Sequence, residues 1–125
     1  MEAKCPFCGL PKERAWFESR YSVAVLDAFP VTEGHTLVIP KRHVESCFDL
    51  PQNELNDISA VVTRVRMLLK KKFNTDSFNI AINDGVAAGQ TIPHAHVHVI
   101  PRRMGDVADP RGGVRWIIPG KAQYW

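Results

Sequence analysis

The sequence predicts an α+β domain in which an antiparallel five-stranded sheet is covered by one long helix. Five short segments are rich in branched and aromatic residues, as strands are, and one longer segment repeats its apolar residues at helical spacing. Three strand segments precede the helical segment and two follow it, an order that favours antiparallel pairing of neighbours. With 125 residues, the chain is long enough for one domain and too short for two, so residues 1–125 are predicted to form a single domain.

The first half of the chain carries three predicted strands. Residues 14–19 (RAWFES) and 21–27 (YSVAVLD) are predicted to pair as a hairpin, and residues 34–40 (GHTLVIP) form a third strand closed by a proline. A helix is predicted over residues 51–73, where the period changes. Its apolar positions are Leu55, Ile58, Val61, Val62, Val65 and Leu68.

The second half supplies the remaining strands and a tail. Residues 77–83 (SFNIAIN) alternate apolar with polar or small side chains, which predicts a half-buried strand. A loop with two glycines leads to residues 94–100 (HAHVHVI), the fifth predicted strand. The glycines and prolines that follow predict an irregular tail over residues 104–125.

Composition and charge exclude several classes of protein. The apolar content of 45% and charged content of 23% are typical of a globular domain, and the apolar runs are too short to span a membrane. The N-terminus lacks the apolar core of a secretory signal, so we expect a cytoplasmic protein with reduced cysteines. A formal charge of +3 suits an anionic small molecule and is too small to indicate nucleic acid.

Three of the five histidines alternate with small or apolar residues in the fifth predicted strand. Residues two apart in a strand share a face, about 6.6 Å from one another, so His94, His96 and His98 are predicted to form a row. Two chemistries use such a row: metal ligation by neutral imidazoles, and nucleophilic catalysis in which one imidazole attacks while its neighbours bind charge. A structural row or a water-exposed polar face is the alternative.

The second informative motif is CPFC, which contains Cys5 and Cys8. In a reducing compartment this spacing indicates metal or redox chemistry, and the strand and helix that flank a thioredoxin-like motif are missing here. A zinc site needs two further ligands, and His43 is a candidate. A metal-free pair remains the alternative. Cys47 has no partner pattern and is expected to be a core or surface thiol.

The triad segment HAHVHVI matches the motif His-φ-His-φ-His-φ-φ of the histidine triad (HIT) family of nucleotide hydrolases and transferases. Residues 26–43 (LDAFPVTEGHTLVIPKRH) resemble the first half of that family, and residues 83–101 (NDGVAAGQTIPHAHVHVIP) resemble the second. The GQT before the triad is most similar to the fragile-histidine-triad branch, which cleaves dinucleoside polyphosphates. The resemblance implies a HIT-like fold whose sheet continues into that of a second copy, giving a homodimer.

The resemblance also implies catalytic roles. His96 corresponds to the nucleophile, which attacks the α-phosphorus and forms a nucleotidyl-histidine intermediate that water then hydrolyses. His98 would contact the phosphate and the bridging oxygen. The uridylyltransferase relatives carry glutamine at that position, so a histidine favours hydrolysis. His35 corresponds to a fourth histidine that supports the triad.

Three further positions match substrate-binding residues of the family. Asp27 falls where relatives contact the ribose hydroxyls, Gln90 matches a phosphate-contacting glutamine of the fragile-histidine-triad branch, and Asn83 falls where an amide reaches phosphate or ribose. Amide donors aimed at phosphate oxygens suit phosphoryl transfer, which depends on positioning and charge stabilisation. Taken without the resemblance, all three would be interpreted as turn or capping residues.

Certain HIT relatives hold zinc with a cysteine pair, a histidine after the PK segment and the first triad histidine. Carried over, the ligands are Cys5, Cys8, His43 and His94, and residues 1–10 form a zinc-binding N-terminus. Two thiolates and two imidazoles make a closed tetrahedral site, which is structural rather than catalytic.

The tail leaves substrate preference open. Its aromatic residues are predicted to pack on the sheet or at the dimer interface, with tuning of a neighbouring nucleotide site as the alternative; they are Trp116, Tyr124 and Trp125. Four arginines are candidates for distal phosphates, namely Arg102, Arg103, Arg111 and Arg115.

The leading functional hypothesis is hydrolysis at the α-phosphate of dinucleoside polyphosphates or similar conjugates. Its alternatives are a nucleoside phosphoramidase with the same intermediate, and a non-catalytic nucleotide-binding protein that acts through partners. A site with all three triad histidines on one metal ion ranks last, because it leaves Asp27, Asn83 and Gln90 without a role.

Overall fold

In the computed structural model, which describes residues 5–125, one antiparallel sheet carries a long helix on one face. The sheet order is β1-β2-β3-β5-β4, with every neighbouring pair antiparallel. The predicted five strands and one long helix are confirmed, and residues 1–4 of the predicted zinc-binding segment lie outside the described part. The elements are β1 (Ala15–Glu18), β2 (Ser22–Leu26), β3 (Thr36–Pro40), α1 (Gln52–Phe73), β4 (Ser77–Ala81), β5 (Val97–Arg102) and the short α2 (Pro119–Ala122).

Helix α1 packs on the sheet through a single apolar stripe. Burial of each aliphatic side chain of this stripe contributes about 1.5–3 kcal/mol, which fixes the helix on the sheet. Leu69 lies in the stripe, whereas Leu68 is only partly buried. No helix within residues 5–125 is long and apolar enough to cross a membrane. The stripe consists of Ile58, Val61, Val65 and Leu69, which face β3 and β5.

The N-terminal segment covers the second face of the sheet. Phe7 and Leu10 pack there against a small buried cluster made by β2 and β3. Leu37 belongs to that cluster and is paired with His98 across β3 and β5. Because directly paired residues of antiparallel strands share a face, His98 lies on the same side as the N-terminal segment.

The fifth strand begins later than the sequence predicts. It starts at Val97, so His94 and His96 precede it. The Ala95 amide donates to the Val44 carbonyl at 2.7 Å, so this stretch bonds to the segment after β3 rather than to the sheet ladder. Successive side chains nevertheless still alternate between the two faces. Ala95 and Val97 are buried beneath α1, and the three histidines point away from it.

The tail contains more regular structure than predicted for residues 104–125. A 3-10 turn at Gly113–Ile117 precedes α2. The Arg115 guanidinium donates to the Ala122 carbonyl at 3.0 Å, and the Trp116 indole donates to the Arg111 carbonyl at 2.9 Å. These contacts fold the tail back on itself, which its glycine and proline content did not reveal.

Candidate active site

A cavity of about 540 Å³ lies on the sheet face opposite α1. The N-terminal segment, the residues after β2 and the loop before β5 form its wall. The volume is within the range of small-molecule sites. The structure thus brings together predicted residues that are widely separated along the chain. Those in the wall are Asp27, His35, Asn83, Gln90, His96 and His98.

The hydrogen bond of His96 determines which of its nitrogens is free. Its Nδ1 lies 2.9 Å from the His94 carbonyl oxygen. A carbonyl oxygen only accepts, so Nδ1 carries the hydrogen. In the neutral ring, Nε2 therefore keeps the lone pair, in a side chain that lines the cavity. This is the form that a nucleophilic imidazole requires.

A chain of two hydrogen bonds determines the tautomer of His98. The Val31 amide donates to His35 Nδ1 at 3.1 Å, so the hydrogen of the neutral His35 ring is on Nε2. That Nε2 lies 2.9 Å from His98 Nδ1, which accepts. The hydrogen of a neutral His98 ring is consequently on Nε2. His98 is thereby set as a hydrogen-bond donor, the role expected of a group that contacts a phosphate or a departing oxygen.

Burial keeps the two histidine rings of this hydrogen-bond chain, His35 and His98, neutral. His35 is 3% exposed, and its burial lowers its pKa against the opposing effect of Asp27. Burial also lowers the pKa of His98, and the nearby rings of His96 and His35 lower it further. At pH 7 neither ring binds a second proton, as the assigned tautomers require.

Asp27 retains acceptor capacity at the cavity. Its Oδ1 accepts from the Phe29 amide at 2.8 Å, and its Oδ2 lies 3.4 Å from His35 Nε2. A carboxylate offers about four lone-pair sites. The predicted contact with ribose hydroxyls is compatible with this arrangement and stays a prediction.

Gln90 braces the loop in which it lies. Its Oε1 accepts from the Gly85 amide at 2.9 Å, and its Nε2 donates to the Glu45 and Ile92 carbonyls at 2.8 and 3.0 Å. Both amide hydrogens of Gln90 are thus in use, as expected if Gln90 is a turn or capping residue. A phosphate contact from Gln90 would require one of these bonds to open, so that role stays a prediction. Asn83 lies in the same wall, and its role is likewise a prediction.

The four predicted metal ligands converge beside the cavity. The distances are 3.3 Å from Cys5 Sγ to His94 Nδ1, 3.2 Å from Cys8 Sγ to His43 Nδ1, and 3.1 Å between the two Nδ1 atoms. Zinc bonds to nitrogen and sulfur give tetrahedral ligand–ligand edges of about 3.3–3.8 Å. All four ligand atoms lie within 4.8 Å of one another, so the cluster fits a tetrahedral cation.

The surroundings of His94 orient it as a ligand. Its Nε2 donates to the Pro40 carbonyl at 2.8 Å, which leaves the Nδ1 lone pair facing the thiols. Burial lowers the pKa of His94, so the ring stays neutral. The pKa of the Cys8 thiol is raised, first by burial and then by the neighbouring Cys5. A bound cation would reverse that effect and favour both thiolates.

The triad does not converge on a single ion. His94 belongs to the cluster with the cysteines, whereas His98 groups with Asp27 and His35 in the described part of the chain. The interpretation that placed all three triad histidines on one metal is therefore wrong.

Several residues of the cavity wall, Phe7 and Arg14 among them, were not predicted from the sequence. Phe7 lies between the two cysteines, and its ring centroid is 5.1 Å from that of His96. Arg14 is the only arginine or lysine in the wall within residues 5–125. The position of Phe7 inside the CPFC motif was a usable signal, whereas nothing in the sequence marked Arg14.

The four arginines proposed for distal phosphates all have protein partners, and none lies in this wall among the residues described. The expectation that they reach distal phosphates is not supported by their positions. Arg102 binds Asp106 and Asn79, Arg103 stacks on Phe73, Arg111 binds Asp109 and stacks on Trp125, and Arg115 binds carbonyls of the tail.

The family model described as the HIT domain matches residues 11–105. The chain belongs to the HIT domain family. It is 41% identical over 96 residues to a fission-yeast (Schizosaccharomyces pombe) bis(5'-nucleosyl)-tetraphosphatase (asymmetrical), covering 77% of this chain and 53% of that protein. It is also 40% identical over 100 residues to a Caenorhabditis elegans nitrilase and fragile histidine triad fusion protein, covering 80% of this chain and 23% of that one. This HIT chain thus spans about half or less of the length of these two relatives.

A solved structure of a zinc-bound relative shares the fold of this chain. The crystal structure of a zinc-bound histidine triad family protein from Mycobacterium smegmatis is 40% identical, with a TM-score of 0.75. The match covers 84% of this chain and 79% of that one. The five-stranded HIT fold of this chain is therefore shared with that protein.

Proposed function

We propose that this HIT protein hydrolyses dinucleoside polyphosphates at the α-phosphate through a covalent nucleotidyl intermediate on His96. The observation that carries the proposal is the bond from His96 Nδ1–H to the His94 carbonyl, which leaves Nε2 unprotonated in a ring of the cavity wall. The name of the fission-yeast relative, a bis(5'-nucleosyl)-tetraphosphatase, supports this class of substrate.

In the first step, His96 Nε2 attacks the α-phosphorus, and the bond from phosphorus to the bridging oxygen breaks. The electron pair of that bond departs with the leaving nucleotide. The His96 ring becomes positively charged, and the His94 carbonyl that accepts from Nδ1–H stabilises this charge. His98 donates from Nε2 to the departing oxygen. A polyphosphate leaving group needs only this hydrogen bond, whereas an amine would need the proton itself.

In the second step, water attacks the phosphorus and the phosphorus–nitrogen bond breaks. The electron pair returns to His96 Nε2 and the proton of the attacking water passes to solvent. The product of this step is a nucleoside monophosphate, the other nucleotide having left in the first step. In this proposal Asp27 accepts hydrogen bonds from ribose, Gln90 contacts phosphate, and Asn83 contacts phosphate or ribose. These groups hold the substrate while the phosphorus changes partners.

We assign the cluster of Cys5, Cys8, His43 and His94 to structural zinc. The mixed thiol and imidazole donor set and its tetrahedral spacing support this assignment. When bound, the ion would supply a positive charge, and it would cross-link the N-terminal segment to the residues before β5. We also assign the protein to the cytoplasm, where such thiols stay reduced.

We further propose a homodimer joined at the β4 edge of the sheet. A groove of about 860 Å³ lies beside this edge strand, where Ile80 is 44% exposed and Ile82 is 38% exposed. An edge strand with exposed apolar side chains favours association with another strand. Sedimentation equilibrium should give twice the chain mass, and Ile80→Asp should shift the protein to monomer. A wild-type monomer at micromolar concentration would contradict the proposal.

Covalent catalysis can be tested by intact-mass measurement after rapid quenching with diadenosine tetraphosphate. Wild type should gain one adenylyl group that maps to His96, and His96→Gly should show neither adduct nor turnover. An adenosine phosphoramidate tested in parallel separates the phosphoramidase alternative, which predicts preferential turnover of that substrate. Full hydrolysis by His96→Gly would overturn the mechanism, and binding without turnover of either substrate would favour a non-catalytic protein.

A further inference from the structure

We propose that Phe7 is a positioning residue that couples the Cys5–Cys8 metal cluster to the orientation of His96. The inference rests on the function proposed above, because it concerns the nucleophile of that reaction. Phe7 lies between the two thiols in sequence, contacts the rings of both His94 and His96, and lines the cavity. One side chain thus joins a metal ligand, the nucleophile and the substrate space.

The two ring contacts have edge-to-face geometry. The centroids of Phe7 and His96 are 5.1 Å apart at an interplanar angle of 74°, and those of Phe7 and His94 are 5.7 Å apart at 81°. This is the favourable arrangement of aromatic pairs, in which a ring edge meets a ring face. Phe7 therefore packs against both imidazoles in a directional way rather than merely filling space.

The orientation of the His96 ring needs such a restraint. One hydrogen bond, from Nδ1 to the His94 carbonyl, defines which nitrogen is free. Rotation about the χ2 bond would break this hydrogen bond and turn Nε2 away from its position. Since the torsion of histidine at this bond has broad minima, a neighbouring ring that limits the rotation raises the fraction of His96 in the reactive orientation.

The position of Phe7 depends in turn on the two thiols. Cys5 Sγ lies 3.3 Å and Cys8 Sγ 3.6 Å from His94 Nδ1, so both ends of the short CPFC turn are held at one point. Phe7 also packs against the buried cluster of Val25, Leu37 and Ile39, which restrains its ring on the side of the sheet. A cation on the cluster would fix both ends of the turn, and its removal would free Phe7 to move away from His96.

The test compares Phe7→Ala, Phe7→Leu and Phe7→Tyr with Leu10→Ala, a control in the same segment and the same cavity wall. Exchange of the His96 Nδ1 proton with water, followed by NMR without substrate, reports the ring directly. Phe7→Ala should keep its zinc, exchange this proton faster and lose about 10- to 100-fold in kcat. Phe7→Leu should keep KM and lose kcat, Phe7→Tyr should restore kcat, and Leu10→Ala should leave the exchange rate unchanged.

Removing the metal completes the test. Cys8→Ser, or chelation of zinc from wild type if that variant fails to fold, should accelerate the same exchange as Phe7→Ala does. Unchanged exchange and kcat in Phe7→Ala would overturn the coupling, as would faster exchange after metal removal that Phe7→Ala does not reproduce. If wild type hydrolyses no nucleotide while Phe7→Ala still alters His96, the proposed function fails and the coupling stands.

Discussion

His35 Nε2 lies 2.9 Å from Nδ1 of His98, a residue 63 positions away in the chain. Because the Val31 amide occupies the other nitrogen of His35, the hydrogen between the two rings belongs to His35. His35 thus makes His98 a donor toward the cavity without itself contacting substrate in the proposed mechanism. The support expected of a fourth histidine takes the form of tautomer selection.

Replacement of His35 tests this selection. His35→Leu removes the donor to His98 Nδ1, so a share of His98 should change tautomer and present no hydrogen to the departing oxygen. We expect kcat to fall by about 10- to 100-fold, with a smaller change in KM. His35→Gln can still donate from its amide and should lose less. Steady-state kinetics with diadenosine tetraphosphate measure kcat and KM of both variants. Wild-type kcat in both His35→Leu and His35→Gln would contradict the selection of the His98 tautomer by His35.

Metal content tests the cysteine–histidine cluster. Elemental analysis should find about one zinc per chain, as a site with four protein ligands requires. Cys8→Ser should lose the metal and unfold at a lower temperature, because bound zinc stabilises the folded state. Cys47→Ala is the matched control, since Cys47 is buried away from the cluster. If Cys8→Ser and Cys47→Ala were both stable and both free of metal, the zinc assignment would be refuted.

Arg14 should contribute to binding of the anionic substrate, whereas Arg102 should not. Arg14 lines the cavity, and the only hydrogen bond of its guanidinium within the described chain is to the Leu26 carbonyl at 3.3 Å. Arg102 is held by Asp106 and Asn79. We expect Arg14→Met to raise KM several-fold and to weaken its salt dependence. Arg102→Met should instead lower thermal stability at unchanged KM, and the reverse pattern would contradict this assignment.

Acid should destabilise the protein through its buried histidines. Burial lowers the pKa of His35 and His98 in the folded state, so just below about pH 6.5 the unfolded chain binds more protons. The free energy of unfolding should therefore rise with pH through this window and fall on acidification. Urea titrations between about pH 8 and pH 5 measure the slope.

His35→Gln provides the control for that slope. It removes one of the two buried histidines outside the metal cluster and keeps all four proposed metal ligands, so its slope should be shallower than that of wild type at equal zinc content. Identical slopes would show that the acid sensitivity arises elsewhere, for example from protonation of the metal ligands.

Much of the fold followed from local patterns. The apolar period across residues 51–73 predicted α1 within one residue at its start, and two-residue alternation predicted that the three histidines share one face. The structure shows that this face is the one away from the helix. The start of β5 was wrong, because the Ala95 amide pairs with Val44 instead of extending the ladder. No local pattern reports such a choice of partner.

The metal cluster and the arginines show where sequence patterns stop being sufficient. The CPFC motif and its histidines identified a set of ligands that the fold brings within 4.8 Å. The arginines at the end of β5 and in the tail suggested phosphate contacts, yet Asp106 and Asp109 neutralise Arg102 and Arg111. A count of charges in the sequence does not show which of them are paired with one another.

The sequence by itself determined the fold class, the family and the set of histidines and cysteines, because backbone periodicity and motif spacing are local properties of the chain. Only the tertiary structure decided which nitrogen is protonated in His94 and in His98. That choice depends on distant partners, such as the Pro40 carbonyl for His94 and the His35 ring for His98. The contact of Phe7 with His96 has the same origin, since folding alone brings the N-terminal turn against the residues before β5.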